Sequence, residues 1–379
     1  MGGLVVNKKW LIGSSVGFAG IAVVGVLWWA VWGRFYQGTD DAYVHGNQVR
    51  LTPQISGYVK AIYAEDTELV EEGQILVELD ATDRTIAFEK AKNELALKVR
   101  EVTQLFETAY VIAGEYEKSQ ANLVEMEVLF ANRKEVVESG AISIEEFITA
   151  ETNYYAAQAS LISVQYQLMR ALSEIQNTTI ETHPIVEKAK TSLREAYVNL
   201  QRCILKSPVA GIIAQRKVQV GGTVDPTSAL MAIIPLNQMW IEANYKEVDL
   251  TKIRIGQSAH MTADIYGRDV VYTGEVVGIG IGSGAVFSPL PPQNATGNWI
   301  KIVQRIPVRI SLSQEQLRQN PLRLGLSMHV DVDLHDMSGT RVPQKSMEKP
   351  VYQTYVFNSQ MAGVEQVIEQ IIRENQTFE

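Results

Sequence analysis

Four side chains late in the sequence have the types and the spacing of a metal site. They recur at every second position of the run HVDVDLH: His329, Asp331, Asp333 and His335. A strand would place all four on one face, and imidazole and carboxylate groups are common ligands of divalent cations. The apolar residues between them also fit a strand with one solvated and one buried face. That second interpretation is favoured, so we predict no metal site.

Other reactive patterns are weaker. The run GIGIGSG at 278–284 resembles a phosphate loop, but AVFSPLPPQNATG follows it, and such a loop needs a helix there. Cys203 is the only cysteine, which excludes a disulfide within the chain and favours a buried apolar role. No serine–histidine–acid set, HExxH or Walker sequence occurs. We therefore predict no enzyme activity and no cofactor.

Charge and hydropathy suggest a membrane-anchored protein. The net charge of −9 gives no reason to bind nucleic acid. Residues 10–33 carry no charge and are long enough to span a bilayer. Lys8 and Lys9 precede them, so we expect a cytoplasmic N-terminus, with most of the chain on the opposite side of the membrane. Four tryptophans at the two ends of the segment fit interfacial anchors: Trp10, Trp28, Trp29 and Trp32.

A short β-rich pattern occurs twice. Within the stretches that begin at Arg50 and Leu205, similar residues match at a constant separation of 154 positions. The pairs are Gly57 with Gly211, Val59 with Ile213, Val70 with Val224, and Leu76 with Leu230. Further turn glycines are Gly73 and Gly222. A gap-free repeat predicts two copies of one structural unit, which we expect to meet in space.

The insertion between the copies has the pattern of a helical hairpin. Apolar residues recur at coiled-coil spacing from Leu95 to Phe130, and ESGAIS at 138–143 supplies a turn with Gly140 at its centre. Ser143 and Glu146 match a capping box that starts the return helix. The predicted seam of the return arm is Phe147, Glu151, Tyr154, Gln158, Leu161, Gln165, Leu168, Leu172 and Ile175.

Pro184 interrupts the return arm, although the same spacing continues to Leu200. We expect a kink in one continuous rod, since an unbroken phase across a proline argues against a looped-out linker. The alternative is a true loop, with Thr182 or His183 capping a new helix and Pro184 at its first position.

The remaining sequence is mainly β. Short β-branched runs with glycine turns follow Pro235, and with a strand near Ala42–Val49 they predict a small barrel. The fold class is therefore α+β and elongated, with a single transmembrane helix, a split β domain, a coiled-coil hairpin and a barrel. The expected ranges are 1–9 cytoplasmic, 10–33 transmembrane, 34–48 linker and first barrel strand, 49–81 first half-domain, 82–202 hairpin, 203–237 second half-domain, 238–336 barrel, and 337–379 tail with a short amphipathic helix.

The glycine-punctuated halves resemble a split lipoyl or biotinyl carrier domain, although ELDATDRT occupies the place of the modified lysine. With TDDAYVHGNQVRLTPQISGYV and WIEANYKEVDLTKIRIGQ, the chain resembles membrane fusion proteins of the HlyD superfamily. The run PPQNATGNWIKIVQRIPVRI at 291–310 resembles the EmrA-type adaptors, and the resemblance covers about residues 35–336.

The resemblance implies a tripartite multidrug efflux pump. Its expected partners are an inner-membrane major-facilitator transporter, a TolC-like outer-membrane channel, and further copies in a trimeric or hexameric ring. Family members carry an arginine, a leucine and a serine at the tip, which dock the channel. The corresponding places here hold Asn132, Val136 and Ser143, with Arg133 one residue late. Alternatives are an adaptor of an ABC-type protein secretion system and a membrane-anchored scaffold without a transport role.

Overall fold

The computed structural model describes residues 17–26, 30, 33–284, 286–287, 303–344, 346 and 348–376. Residues 17–26 are helical, but the four tryptophans predicted as anchors lie outside the described residues, as do 291–302 of the EmrA-type run. Within the described part of the chain, no helix has the length and apolar character needed to cross a bilayer.

Six antiparallel strands form a closed barrel: Tyr36–Gly46 (β1), Met239–Lys246 (β10), Ser258–Ala263 (β11), Val271–Ile279 (β12), Arg305–Ser311 (β13) and Ser327–Asp333 (β14). Their order around the barrel is β1-β10-β13-β12-β11-β14. Side chains alternate between core and solvent, as in β10, where Ile241, Ala243 and Tyr245 are buried. A short helix, α4 (Gln314–Gln319), covers one end through Leu317. The predicted barrel is confirmed.

The possible metal ligands lie along the outer side of β14. Val330 and Val332 are buried, whereas His329 interacts with Asp40 and, through Nε2, with Asp331 Oδ2 at 3.3 Å. His335 lies beyond the strand and stacks on Phe35. No group of three or more histidine, cysteine or acidic side chains in the described ranges is arranged to hold a metal.

The two half-domains exchange strands. The bounds are Val49–Leu51 (β2), Gly57–Ile62 (β3), Leu69–Val70 (β4), Ile75–Leu79 (β5), Ile204–Lys206 (β6), Gly211–Arg216 (β7), Thr223–Val224 (β8) and Met231–Ile234 (β9). One sheet has the order β2-β9-β7-β4 and the other β6-β5-β3-β8, so each contains strands of both copies. The pairs Gly57–Val224 and Val70–Gly211 exchange under the 154-residue shift, as expected for a pseudo-twofold axis.

The hairpin between them contains three helices: α1 (Thr82–Val137), α2 (Ile144–Ile175) and α3 (Pro184–Gln201). At 1.5 Å per residue, the 56 residues of α1 extend about 84 Å. The prediction of one kinked return helix is wrong, because α2 ends at Ile175 and α3 begins at Pro184. His183 caps α3 by accepting the Ile185 N–H at its Nδ1, and Pro184 takes the first helical position.

Residues 176–183 remain folded against α1 without being helical. The Thr179 and Thr182 hydroxyls accept each other's backbone N–H groups at 3.2 and 2.9 Å. His183 Nε2 lies 3.1 Å from the Glu174 carbonyl oxygen, and Lys190 Nζ donates to the Glu181 carbonyl at 2.7 Å. Ile180 is 8% exposed and packs in the same core as Val102. This apolar contact explains why the coiled-coil spacing of the return arm continues across Pro184, although the helix is interrupted there.

The predicted contact seam is correct for one column of α2 and wrong for the other. Residues 147, 154, 161, 168 and 175 are half-buried, as predicted. The second column consists of Ala150, Ala157, Val164 and Ala171. Gln158, Gln165 and Leu172 of the predicted column are exposed. In α1 the predicted spacing from Leu95 to Phe130 places Gln120 and Glu127 on the contact seam, but both are exposed, and the neighbouring Ser119 and Met126 are half-buried instead. Small side chains in the contact column let the two backbones approach closely.

The C-terminal segment crosses all three folded parts. The Ile255 N–H of the barrel donates to the Thr340 carbonyl, and Glu72 of the split domain accepts from Thr354 Oγ1 at 3.1 Å. A 3₁₀ helix (Val356–Met361) and α5 (Val364–Asn375) follow. α5 buries Val364, Ile368, Ile371 and Ile372 against α1 and α3. We call α1 up to Phe106, together with α3 and α5, the basal segment of the hairpin. The rest of α1, together with α2, is the distal segment.

Candidate docking site at the hairpin tip

The tip is a six-residue turn between two helices. α1 ends at Val137, and Gly140 has a φ of +72°, a value that favours glycine. Ser143 starts α2: its Oγ accepts the Glu146 N–H at 3.1 Å, and Glu146 Oε2 accepts the Ser143 N–H at 3.0 Å. This capping box was predicted from the sequence. The Ser143 hydroxyl oxygen accepts a hydrogen bond in it, so the hydroxyl can still donate one to a partner outside the tip.

The other predicted tip residues divide between two faces of α1. Asn132 and Val136 are exposed and lie four residues apart, so they share one face. Arg133 is half-buried and follows Met126 and Phe130 along the side that faces α2. The structure therefore brings Asn132 and Val136 together as an outward surface and directs Arg133 toward the partner helix.

Stacked aromatic rings support the tip. The Phe130 ring lies 5.7 Å from the Phe147 ring and 5.4 Å from the Tyr154 ring, with interplanar angles of 30° and 11°. Such pairs add about 0.5–1.5 kcal/mol beyond burial. They fix α1 against α2 within three turns of the tip. The sequence placed all three residues on the seam but gave no sign that they stack.

A column of exposed apolar side chains, which sequence reasoning missed, follows the outer side of α2. It recurs every seven residues at Ile148, Tyr155, Ile162 and Met169. Ile144 and Tyr166 extend the same surface and are 73% and 68% exposed. Exposed apolar surface of this extent is typical of a protein contact. The heptad spacing of these residues was the signal that could have identified it.

The glycines of the split domain have different local roles. A Cβ on Gly211 would lie 2.4 Å from the Ile234 carbonyl oxygen, so strand β7 admits no side chain there. Gly57 begins β3, and Gly73 and Gly222 lie in turns. The left-handed residue beside Gly222 is Gly221, with a φ of +79°. Its counterpart 154 residues earlier is Thr67, which has a φ of +71° without being glycine.

The strongly perturbed titratable groups belong to the folded core. Burial raises the pKa of Tyr272 to about 12, and its hydroxyl donates to the Asn320 carbonyl at 2.9 Å. Burial also raises the pKa of the Cys203 thiol, which suits the predicted structural role. Both groups stay protonated near neutral pH and serve packing.

Comparisons with known proteins agree with the geometry of the hairpin. The family described as "EMRA, alpha-helical hairpin domain" matches residues 82–203. The chain is 41% identical over 352 residues to the multidrug export protein EmrA of Escherichia coli (strain K12), covering 93% of this chain and 90% of that protein.

Two further relatives extend the comparison. EmrA of Haemophilus influenzae is 39% identical over 366 residues, which cover 96% of this chain and 94% of that protein. The fatty acid resistance protein FarA of Neisseria gonorrhoeae is 40% identical over 296 residues, covering 78% and 75% of the two chains. The chain therefore belongs to the EmrA family of multidrug export adaptors, which are membrane fusion proteins and not enzymes.

Proposed function

We propose that this adaptor links an inner-membrane major-facilitator exporter to a TolC-type outer-membrane channel and thereby exports hydrophobic toxic compounds. The observation that supports this most is the hairpin, whose first helix extends about 84 Å from the split domain. A rod of that length with a defined tip suits a bridge between partners that are far apart. The names of the relatives, for multidrug export and fatty acid resistance, suggest the substrate class.

The proposed anchor is a single membrane helix over residues 10–33, with the N-terminus in the cytoplasm and the bulk of the chain in the periplasm. Residues 17–26 are helical, uncharged and exposed, including Phe18 and Ile21 at 78% and 72%. An apolar helix without a protein partner suits a lipid environment.

The tip surface of Asn132 and Val136 is the proposed contact with the channel, with Ser143 donating from the start of α2. The apolar column of Ile148, Tyr155, Ile162 and Met169 is the proposed contact with the neighbouring hairpin in a ring of copies. It lies on α2, away from the α1 interface, so a second copy can cover it.

A complementation experiment tests the proposal. In a Gram-negative strain that lacks this adaptor and redundant pumps, the wild-type gene should restore resistance to hydrophobic toxicants. Val136→Asp should abolish resistance by placing a charge at the channel contact. Val124→Asp is the matched control, because Val124 is also an exposed valine of α1 and lies more than three turns before Val136. Equal resistance with both variants would contradict tip docking.

Cross-linking and co-purification separate the alternatives. A cysteine at position 136 should cross-link to an outer-membrane channel, and affinity purification should recover a major-facilitator transporter. Recovery of an ABC transporter instead would identify a protein secretion system. Unchanged sensitivity of the deletion strain across a broad panel would favour a scaffold without a transport role.

A further inference from the structure

A cavity of about 120 Å³ lies where the foot of the hairpin, the split domain and the C-terminal segment meet. Arg50 of β2, Arg202 at the end of α3 and Lys206 of β6 line it, and the 3₁₀ helix borders it with Phe357 and Gln360. A single water needs about 10–15 Å³ of such volume, so the cavity has room for a small organic or inorganic ion.

The charge of this cavity is unusual for the protein. The chain has 43 acidic and 34 basic residues, yet none of the described residues lining the cavity is acidic. Several basic groups elsewhere form ion pairs, as in Arg194 with Glu365 and Arg216 with Glu65. Within the described part of the chain, none of the three cavity cations forms an ion pair. Three neighbouring positive charges repel each other unless a negative charge lies among them.

Arg202 provides a second, independent observation. Its Nε is fully buried and donates to no acceptor in the described structure, while its Nη1 reaches Asn199 Oδ1 at 3.3 Å. Buried polar atoms almost always have a partner, and an unpaired guanidinium donor calls for an acceptor nearby. A guanidinium binds phosphate and carboxylate groups with two parallel hydrogen bonds.

We propose that this cavity is a binding site for a small oxyanion, a phosphate or a carboxylate group. Arg202, Lys206 and Arg50 supply positive charge and hydrogen-bond donors, and Gln360 contributes from the C-terminal segment. The bound anion joins the hairpin foot to the 3₁₀ helix, so occupancy and docking of the C-terminal segment are coupled. This site is separate from the proposed export function and does not depend on it.

Isothermal titration of the full chain in detergent tests the site, with inorganic phosphate as one probe and benzoate as the other. Chloride keeps the ionic strength constant. We expect saturable binding of at least one probe, and Arg202→Gln should weaken it about tenfold, as expected for one charge-assisted interaction. Phosphate binding alone identifies a phosphoryl ligand, and benzoate binding alone identifies a carboxylate. Arg268→Gln, an exposed cation on the barrel, is the control and should change nothing.

Hydrogen exchange gives a readout that nonspecific ion binding would not move. Saturating anion should slow amide exchange in residues 356–361, and Arg202→Gln should remove that protection. If Arg202→Gln does not fold, the exposed Arg50→Gln replaces it with the same expectation. The proposal is overturned if neither probe binds saturably, if Arg268→Gln weakens binding as much, or if Arg202→Gln lowers stability equally with and without anion.

Discussion

The basal and distal segments of the hairpin are built from similar sequence but are packed differently. In the basal segment Leu95, Val99, Val102 and Leu193 are completely buried. In the distal segment the buried side chains are four alanines, at positions 109, 150, 157 and 171, while Phe130, Leu161 and Leu168 stay half-exposed. Two helices cannot surround a large side chain, whereas α5 adds the third wall at the base. Rigidity is therefore concentrated near the split domain.

The largest expected effect comes from removing that third wall. Ile368→Asp places an unpaired carboxylate in the basal core, where the native side chain is 2% exposed. We expect a loss of about 3 kcal/mol or more in the free energy of unfolding, or detachment of α5. Hydrogen exchange of residues 91–102 should accelerate. Gln370→Asp, on the exposed side of α5, is the control and should leave exchange unchanged.

The distal segment should tolerate the same kind of change better. Leu161→Asp replaces a half-buried seam residue, so its cost should be about 2 kcal/mol. Gln158→Asp, on the exposed side, should stay within about 0.5 kcal/mol of wild type. Thermal unfolding followed by helical circular dichroism measures both. Equal melting temperatures would contradict the contact columns described above.

The stability of the junction between the two segments should depend more on the His183 cap of α3 than on Pro184. His183→Ala removes the acceptor for the Ile185 N–H and should cost about 1 kcal/mol. Pro184→Ala should be neutral or destabilise by about 0.5 kcal/mol, because proline is favoured at the first helical position. Denaturant unfolding distinguishes the two. A clear gain in stability from Pro184→Ala would instead indicate a strained continuous helix.

The smallest effect concerns the ion pair that fastens α5 to α3. Arg194 donates to both Glu365 carboxylate oxygens, at 2.7 and 3.0 Å, and holds the pKa of Glu365 below its ordinary value of 4.5. A lowered folded pKa stabilises the protein above the unfolded value, and this contribution disappears as the pH falls through the folded pKa. Since both groups are partly exposed, Arg194→Gln should cost about 0.5 kcal/mol at pH 7 and nothing at strongly acidic pH. Chemical unfolding at the two pH values checks this, with Arg170→Gln as an exposed control.

Local patterns predicted much of this fold. The capping box at Ser143, the extent of α1 and the barrel strands depend on residues close in sequence, so they could be read directly. The repeat separated by 154 residues revealed two related units, and the strand exchange follows its symmetry.

The errors arose where contacts between distant residues decided the outcome. From Phe147, a spacing of four then three residues was predicted for the contact face of α2, whereas the observed spacing is three then four. The two spacings select neighbouring columns of the helix, and only the close packing of Ala150 and Ala157 against α1 decides between them. Ile180 packs in the core, so the apolar spacing of the return arm continues through residues 176–183, although these residues are not helical. The amphipathic face of α5 was visible, but its nearer partner, α3, lies more than 160 residues away in sequence.

The strand exchange in the split domain also fixes an order of folding. Each sheet needs strands from both halves, so the first half cannot complete a sheet until residues beyond 204 are available. Bringing the halves together across such a loop is entropically costly and slow when the intervening chain is flexible. The hairpin lowers that cost, because α1 can pair with α2 and then α3 one turn after another, starting from the tip. When this pairing is complete, Asp80 and Cys203, at the two ends of the insertion, lie close together. The rod that is proposed to span the distance between partners therefore also brings the two half-domains together as the chain folds.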